Sequence, residues 1–383
     1  MTINNEHKKL NVPNLRFKEF EGEWEKKTIG EISTIKNGPF GSVLHAEDYV
    51  DEGMPIVTTE HFKNGNLPQS KNGIPQVSDD DYYRLRGYKL EKDDIVFSRV
   101  GSIDINAHVE QSQQGWLFSG RVLRVRPIKS VNSLCLHYIL STESVKRSIR
   151  NRAVGQTMPS INTPILSNTK INIPQSVVEQ KKIANLLALL DKRIAIQNKI
   201  IDKLQSLIKG ISKQLLMNNQ NWRTVRIGEL LRIGNGKDYK HLGIGKIPVY
   251  GTGGQMLLVN DYLYDGESVC IGRKGTIDKP MFLKGKFWTV DTLFYTYDFK
   301  DVLPKFCYYL FLQINWKLYN EGTGVPSLSK STIENIKVKI PSIEQQHNIC
   351  SVLDCYEHKT KSEEQILELY LSEKQYLLRQ MFI

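Results

Sequence analysis

The sequence predicts an α+β protein in which two similar β-rich domains are joined by two long antiparallel helices in a pseudo-twofold arrangement. Three observations predict this fold: an internal repeat, a heptad pattern after each copy of the repeat, and short β-like runs between glycine-, proline- and asparagine-rich turns. The length of 383 residues is sufficient for two or three domains, each with its own core.

The repeat consists of five short matches that occur in the same order in both halves. The motif at residues 24–32 reappears at 222–230, 198 positions later. The other matching pairs are 95–104 with 269–278, 155–161 with 322–328, 170–174 with 337–341, and Glu179-Gln180 with Glu344-Gln345. Because coincidence explains a single match more easily than an ordered set, we infer a duplicated module of a globular domain followed by a helix.

The domain boundaries follow from this module. We expect the first globular domain at residues 1–174, the central helix at 175–217, the second globular domain at 218–341 and the C-terminal helix at 342–383. Shorter helices are expected at 134–150 and 305–319. The interval from the tryptophan to the arginine of the repeat is 75 positions in the first copy and 51 in the second. A shared frame with a divergent interior is typical of related domains that recognise different targets.

The two long segments carry a coiled-coil pattern with alternating four-three spacing. In segment 175–217 the seam positions are Ile183, Leu187, Leu190, Ile194, Gln197, Ile201, Leu204, Ile208, Ile211 and Leu215. In segment 342–383 they are Ile349, Leu353, Tyr356, Thr360, Glu363, Leu367, Tyr370, Lys374, Leu377 and Met381. The net charges of these segments are +5 and −3, which favours pairing of the two helices with each other, as an intramolecular coiled coil.

Two questions about the helices stay open at this point. Each helix could pack only on its own domain, although ten seam positions exceed what one small domain covers. Gln197 could reach water, or it could donate a hydrogen bond that sets the helix register. We expect the paired arrangement, which at ~1.5 Å per residue makes a rod of roughly 60 Å.

Composition and charge narrow the class of protein. Hydrophobic residues make up 40% of the chain and charged residues 24%, and no apolar run reaches the ~18 residues of a membrane span. Since the amino terminus lacks a signal-peptide core, we expect a cytoplasmic protein without membrane association. The five cysteines are scattered without a CxxC pair, which favours buried thiols over a zinc site. The net charge of +11 is compatible with nucleic-acid binding.

Common catalytic motifs are missing from the sequence. It contains no phosphate-binding loop, no HExxH helix, no GxSxG elbow and no group of histidines and cysteines with metal-ligand spacing. The tetrapeptide typical of amino-methyltransferases is also missing. We therefore expect a protein that is not an enzyme and that holds no metal and no cofactor.

Basic and polar residues in turn-rich places are the candidates for DNA contact, because they can donate hydrogen bonds to phosphates or base edges. For each of them an ordinary solvated loop is the alternative. Arg99 and Arg273 could instead pair with Asp104 and Asp278, and the basic run ending at Arg152 could satisfy helix carbonyls. The candidates are Lys36, Asn37, Phe40, Arg99, Arg147, Arg150, Gln156, Thr157, Lys237, Tyr239, Lys240, Arg273, Lys274 and Thr323.

The ordered motifs resemble those of the specificity subunit of type I restriction–modification systems. The resemblance covers nearly the whole chain in both halves. The second copy lacks the Pro-x-Leu-Arg-Phe prefix and has one additional residue before Ile349, which leaves the helix register open by one. The motifs that carry the resemblance are Pro13-Asn-Leu15-Arg16-Phe17, Trp24, Ile29-Gly30-Glu31, Arg99-x-Gly101, Gly155 with Pro159-Ser160, and Ile173-Pro174 with Glu179-Gln180 and Ile183.

The resemblance implies a non-catalytic DNA-binding subunit. Each globular domain would be a target recognition domain that reads one half of a split double-stranded DNA sequence, and the helices would set the distance between the halves. The helices would also dock two modification (methyltransferase) subunits, which hold S-adenosylmethionine. Restriction subunits would supply translocation and endonuclease activity with ATP and magnesium. The helix positions assigned to pairing and partner contact are Ile183, Leu187, Leu190, Ile194, Gln197, Ile201, Leu204, Ile208, Leu353, Tyr356, Leu367 and Tyr370.

Two other classes of function stay open from the residues alone. A coiled-coil scaffold, or a general DNA-binding protein without a restriction–modification role, would show no preference for a split sequence. An enzyme with an unrecognised site would transfer methyl groups or cleave DNA by itself.

Overall fold

A computed structural model describes residues 11–39, 44, 46–155, 157–217 and 221–383. The chain divides into two compact units, one formed by Met1–Ile196 with Leu367–Ile383 and the other by Gln197–Ile366. Two long helices, Val177–Met217 and Ile343–Gln380, contribute residues to both units.

The first unit contains a β-rich domain with several short helices. The helices are α1 (Ile29–Ile32), α2 (Asp79–Arg84), α3 (Ser133–Leu140), α4 (Glu143–Arg150) and α5 (Thr163–Ser167). The strands are β1 (Glu25–Thr28), β2 (Ser33–Asn37), β3 (Tyr49–Val50), β4 (Met54–Val57), β5 (Gln76–Val77), β6 (Ile95–Ser98), β7 (Asn106–His108), β8 (Leu117–Phe118), β9 (Val122–Pro127) and β10 (Lys170–Ile173). They form sheets of order β2-β9-β6-β7 and β3-β5-β4-β8, and β1 pairs with β10.

The helix expected over residues 134–150 is divided into α3 and α4. The Ser141 hydroxyl donates to the His137 carbonyl at 2.8 Å, and the Thr142 hydroxyl donates to the Ile139 carbonyl at 2.7 Å. Hydroxyl groups that bond to carbonyls of the preceding turn compete with backbone hydrogen bonds and end a helix easily. Thr142 then has extended backbone and α4 begins at Glu143.

The long helix α6 (Val177–Met217) begins against the core of the first domain. Ile183 and Leu187 belong to one buried cluster with Trp24, and the cluster also includes Leu378 and Met381. This cluster places the first turns of α6 beside the last turns of the C-terminal helix within this unit.

Glu179 connects the N-terminal prefix to α6. The residue is 1% exposed. Its carboxylate accepts hydrogen bonds from Arg16 at 2.7 and 2.9 Å and from the Trp24 indole at 3.2 Å. A buried carboxylate needs such partners, because removal from water penalises its charge. The prefix is therefore part of the structure of the first unit.

The second unit contains the other β-rich domain. The helices are α7 (Ile227–Leu230), α8 (Pro304–Gln313), α9 (Lys330–Asn335) and α10 (Ile343–Gln380). The strands are β11 (Arg223–Arg226), β12 (Arg232–Asn235), β13 (Ile244–Gly251), β14 (Gly254–Val259), β15 (Tyr264–Gly272), β16 (Met281–Thr289), β17 (Leu293–Tyr297) and β18 (Lys337–Ile340). One sheet has the order β12-β17-β15-β16-β13-β14, and β11 pairs with β18. The helix expected over 305–319 consists of α8 followed by a 3-10 turn at Trp316–Tyr319.

The repeat is visible in the backbone of both units. Strand β1 pairs antiparallel with β10 so that Thr28 lies opposite Lys170, and β11 pairs with β18 so that Arg226 lies opposite Lys337. In each copy the strand continues directly into a four-residue helix, α1 or α7. The predicted α+β class with two similar domains and two long helices is confirmed.

One of the five sequence matches is wrong by one residue. The Gln180 side chain donates to the Pro174 carbonyl at 2.8 Å and accepts from the Asn132 backbone at 2.7 Å. In the second copy Gln346 makes the same two contacts, donating to Pro341 at 3.1 Å and accepting from the Leu303 backbone at 2.8 Å. Gln180 therefore corresponds to Gln346. The length difference lies between the proline and the helix, and the helix register is the same in both copies.

The two long helices pack against each other in antiparallel order within each unit. In the first unit Asp191 on α6 forms an ion pair with Lys374 on α10 at 2.5 Å. In the second unit Gln197 lies beside Glu363, and Ile211 packs against the cluster that contains Leu353. All twenty seam positions are buried or half-buried. Each helix end also packs on its own domain, so the alternative that the helices pack there alone is wrong.

Gln197 makes a hydrogen bond between the helices. Its side chain is buried, with the residue 6% exposed, and donates to the Glu363 backbone carbonyl at 3.0 Å and to the Glu363 carboxylate. Hydrogen bonds from Lys359 and from Gln197 lower the pKa of Glu363. Of the two alternatives for Gln197, the interhelical hydrogen bond is the one observed.

Candidate nucleic-acid interface

Arg99 lies at a backbone junction in the first domain, directly after β6. The Gly101 N–H donates to the Pro159 carbonyl at 2.9 Å, and the Ile161 N–H donates to the Arg99 carbonyl at 2.9 Å. Gly101 has φ +81°, a conformation that favours glycine. Residues 99–101 and 159–161 are named here the first Arg–Gly junction.

The second domain contains the same arrangement after β15. The Gly275 N–H donates to the Pro326 carbonyl at 2.8 Å, and the Leu328 N–H donates to the Arg273 carbonyl at 2.9 Å. Gly275 has φ +87°. Residues 273–275 and 326–328 form the second Arg–Gly junction. The repeat thus positions one arginine per domain on a matching backbone.

The carboxylates near the junctions pair with other cations. Asp104 pairs with Arg150, and Asp278 pairs with Lys317 at 3.1 Å. Hydrogen bonds to Asp104 and Glu143 raise the pKa of Arg150, and the hydrogen bond from Lys317 lowers the pKa of Asp278. The expected alternative, in which Arg99 and Arg273 pair with these aspartates, is therefore wrong. Carboxylates occupy the Arg150 guanidinium, whereas the Arg152 guanidinium donates to the Ser148 carbonyl of α4 at 2.9 Å. The alternative that the basic run satisfies helix carbonyls therefore holds for Arg152 and not for Arg150.

The two arginines differ in exposure. The Arg99 guanidinium donates to the Gly120 carbonyl at 3.2 Å, while its Nε atom is buried without a hydrogen-bond partner among the described residues. Arg273 is exposed, and its guanidinium lies 5.9 Å from the centre of the Phe294 ring. Lys274 beside it is exposed as well.

A cavity of about 500 Å³ opens beside Arg99 in the first domain. The Ser119 hydroxyl is buried without a hydrogen-bond partner in the described part of the chain. The residues that line the cavity are Pro39, Leu44, Tyr49, Thr58, Thr59, Glu60, Arg99, Ser119, Gly120 and Arg121. The cavity therefore offers two guanidinium groups, hydroxyl groups and the Glu60 carboxylate to a ligand, and of its lining only Arg99 was among the sequence candidates.

The candidates after β2 have partners within the first domain. The Lys36 ammonium donates to the Gly87 carbonyl at 2.7 Å and lies 4.7 Å from the centre of the Tyr88 ring. The Asn37 side chain accepts a hydrogen bond from the Thr163 hydroxyl at 3.2 Å. Phe40 lies outside the described residues.

The candidates near the end of α4 differ in solvent exposure and in ion pairing. Arg147 and Thr157 are exposed, whereas Arg150 is held by its two carboxylates. Gln156 lies outside the described residues. In the second domain Thr323 is exposed in the loop that precedes Pro326.

The turn after β12 is fixed through its backbone, which leaves its lysines exposed. The Lys237 N–H donates to the Thr289 carbonyl and the Trp288 indole donates to the Lys237 carbonyl, both at 2.8 Å. A Cβ at Gly236 would lie 1.8 Å from the Val290 carbonyl oxygen, so the turn requires glycine. Tyr239 is half-buried, and the side chains of Lys237 and Lys240 are exposed.

Sequence reasoning missed several residues that the structure places near the candidates. Arg121, Ser119 and Thr58 line the cavity beside Arg99, yet lie 22, 20 and 41 positions from it in the sequence. Met158 and Val325, each directly before the proline of a junction, are both 63% exposed. Only the repeat could have indicated that last pair, because both occupy the same place in the Gly-x-x-x-Pro motif.

Comparisons with known proteins agree with this duplicated organisation. Residues 21–206 and 219–369 match the type I restriction modification DNA specificity domain. The chain belongs to this family. The expected family resemblance is thereby confirmed, and the chain groups with DNA specificity subunits, the non-catalytic recognition component of type I systems.

Individual relatives cover more than nine tenths of the chain. The provisionally named MjaX specificity subunit of a type I restriction enzyme from Methanocaldococcus jannaschii is 26% identical, with 94% of each chain covered. The MjaIX specificity subunit of the same organism is 21% identical over 91% of this chain and 90% of its own. The crystal structure of a type I restriction–modification S subunit from M. genitalium matches with a TM-score of 0.65 at 17% identity, covering 97% of this chain and 99% of that one.

Among the described residues, no helix is long and apolar enough to cross a membrane. Within the same residues, no three His, Cys, Asp or Glu side chains cluster in a way that could hold a metal ion.

Proposed function

We propose that this specificity subunit reads a split double-stranded DNA sequence, with one globular domain on each half. The observation that carries the proposal is the duplication: each domain presents an arginine on the same hydrogen-bonded junction, while the larger sheets of the two domains differ. The net charge of +11 supports association with DNA. As domain limits we propose 1–174 and 218–341, with helical segments at 175–217 and 342–383.

The long helices act in this proposal as the spacer between the two half-sites. Half-site separation is a geometric quantity, and paired helices hold a distance that a flexible linker would not. The antiparallel packing in each unit and the buried Gln197–Glu363 hydrogen bond support a fixed helix register.

The helices also dock two modification subunits in this proposal. Apolar side chains are exposed on the parts of both helices that belong to the first unit, including Leu189 and Leu369. In the second unit Leu207 and Val352 are exposed likewise. Apolar residues that face solvent on a paired helix are typical of a surface that another protein covers.

In this proposal the cofactors and the catalytic activities belong to the partner subunits. The modification subunits would bind S-adenosylmethionine and methylate adenine, and restriction subunits would bring ATP, magnesium, translocation and cleavage. The cytoplasm, where the DNA target is found, is the compartment we propose.

The experiment that tests the proposed function measures DNA binding by the complex of this chain with its modification subunits. We expect one split sequence to be bound at least a hundredfold more tightly than duplexes with scrambled half-sites, with affinity falling steeply as salt rises. Equal affinity for all duplexes would contradict the proposal. Methyl transfer by the purified chain alone would also contradict it.

The docking surface has its own test. Leu189→Asp with Leu369→Asp should abolish assembly with the modification subunit, because each change places a charge in a contact that excludes water. Ala195→Asp on the same part of α6 is the matched control, since Ala195 is exposed and, six residues from Leu189, lies on another face of the helix. Unchanged assembly of the leucine double variant would overturn this part of the proposal.

A further inference from the structure

The two Arg–Gly junctions are alike, whereas the sheets around them are not. Both junctions have the same pair of backbone hydrogen bonds, the same positive φ at glycine and an isolated bridge, Val100 to Ser160 and Lys274 to Ser327. The first domain has two four-stranded sheets, but the second has one six-stranded sheet. The junctions are therefore the same in two domains whose larger sheets differ.

The charge at the junctions is preserved as well. The aspartate five positions after each arginine is neutralised by a cation from elsewhere in its own domain, Arg150 for Asp104 and Lys317 for Asp278. Because these pairs neutralise the nearby carboxylates, the charges of Arg99 and Arg273 stay available for an anion.

Two half-sites of different sequence share one chemical feature, the phosphate backbone. Contacts that position a protein on a duplex go mainly to phosphates, whereas contacts that specify sequence go to base edges. A backbone arrangement that both domains share suits the shared feature, and elements that differ between the domains suit the bases.

We propose that the two Arg–Gly junctions bind DNA phosphates and position each domain on the duplex without reading sequence. This inference rests on the proposed function and assigns Arg99 and Arg273 to the backbone instead of the bases. Sequence is read by the parts that differ, such as the cavity with Ser119 and Arg121 in the first domain and the turn with Lys237 and Lys240 in the second.

The test uses Arg273→Ala in the complex with modification subunits. The Arg273 side chain is exposed and makes no hydrogen bond among the described residues, and alanine keeps the backbone hydrogen bonds of the junction, so we expect the fold to stay intact. Affinities for the specific site and for scrambled duplex should fall together by roughly three- to tenfold, and the slope of log affinity against log salt should decrease by about one. The methylated sequence should stay the same.

Two further variants complete the design. Arg99→Gln should reproduce the loss through the other half-site. Lys339→Ala removes one positive charge from the exposed face of β18, outside the junction, and is the matched control with unchanged affinity and slope.

Different failures separate this inference from the proposed function. A changed base preference at one half-site in Arg273→Ala would make the arginine a base reader and overturn the inference while the proposed function stands. Loss of assembly with the modification subunits in Arg273→Ala would assign the junction to a protein contact and would also overturn the inference. Unchanged affinity and salt slope would overturn it directly. A wild-type complex without preference for a split sequence would instead overturn the proposed function.

Discussion

The N-terminal prefix stabilises the first unit through the ion pair between the half-buried Arg16 and the buried Glu179, and Arg16→Met tests this. Glu179 is held by two hydrogen bonds from Arg16 and one from the Trp24 indole. In Arg16→Met only the indole would compensate the buried carboxylate. Breaking a buried pair by removing one partner costs about 3–5 kcal/mol, and we expect a value near the lower end because Trp24 remains.

The second copy of the module suggests the rescuing variant. By the correspondence of Gln180 with Gln346, Glu179 corresponds to Gln345, and the second copy lacks the arginine prefix. Glu179→Gln replaces the charge with a neutral amide. In Arg16→Met with Glu179→Gln the buried charge is gone, so the double variant should lose only about 1 kcal/mol. The coupling between the two positions is then about 2 kcal/mol or more.

Hydrogen exchange in increasing urea is the suitable assay, because it reports each unit of the chain separately. Amides of β1, β10 and the first turns of α6 should lose protection in Arg16→Met, whereas amides of β11 and β18 in the second unit serve as the internal control. A loss below 1 kcal/mol in Arg16→Met, or additive losses in the double variant, would refute the role given to the pair.

Three other predictions follow from buried groups and from the helices. Burial lowers the pKa of His137 to about 3 from an ordinary 6.5, so below pH 6.5 the unfolded chain binds a proton that the folded chain excludes. The free energy of unfolding of the first unit should therefore decrease by up to ~1.4 kcal/mol for each pH unit below 6.5, and His137→Gln should make this decrease smaller. An equal decline in the variant, by urea denaturation from pH 7 to 4.5, would contradict the assignment. Gln197→Ala should destabilise the second unit by about 1–2 kcal/mol, measured by exchange of α10 amides near Glu363, because it removes a buried donor; unchanged exchange would show that the hydrogen bond contributes nothing. Four residues inserted within 194–204, with four compensating residues in the paired part of α10, should lengthen the spacer by ~6 Å and change the preferred half-site separation, whereas an unchanged separation would refute the spacer role.

The fold was predictable from the sequence where the heptad spacing and the internal repeat indicate the same arrangement. The four-three spacing predicted both seams, since a largely apolar stripe on so long a helix requires a partner. The match between residues 24–32 and 222–230 predicted that the two copies begin alike, and in the structure each segment contains a strand followed directly by a four-residue helix. The break between α3 and α4 was not predicted, because it depends on hydroxyl groups that bond to particular carbonyls.

The contacts of the candidate interface were harder to predict from the sequence than the fold, for two physical reasons. Ion pairing is a property of tertiary contact: Asp104 lies five positions from Arg99 but pairs with Arg150, 46 positions away. A cavity also collects residues from distant turns, as with Arg121 and Thr58 beside Arg99. The one-residue error at Gln346 arose because adjacent glutamines are equivalent in a sequence pattern and only the hydrogen bond to Pro341 distinguishes them.

A comparison of DNA methylation in two strains tests the central claim most directly. Both strains contain the modification subunit; one has this chain and the other has this chain with residues 234–241 replaced. The account predicts methylation at a split sequence in the first strain, and a change confined to one half of that sequence in the second. Methylation that ignores the chain, or a replacement that changes both halves together, would contradict the reading of DNA by two independent domains.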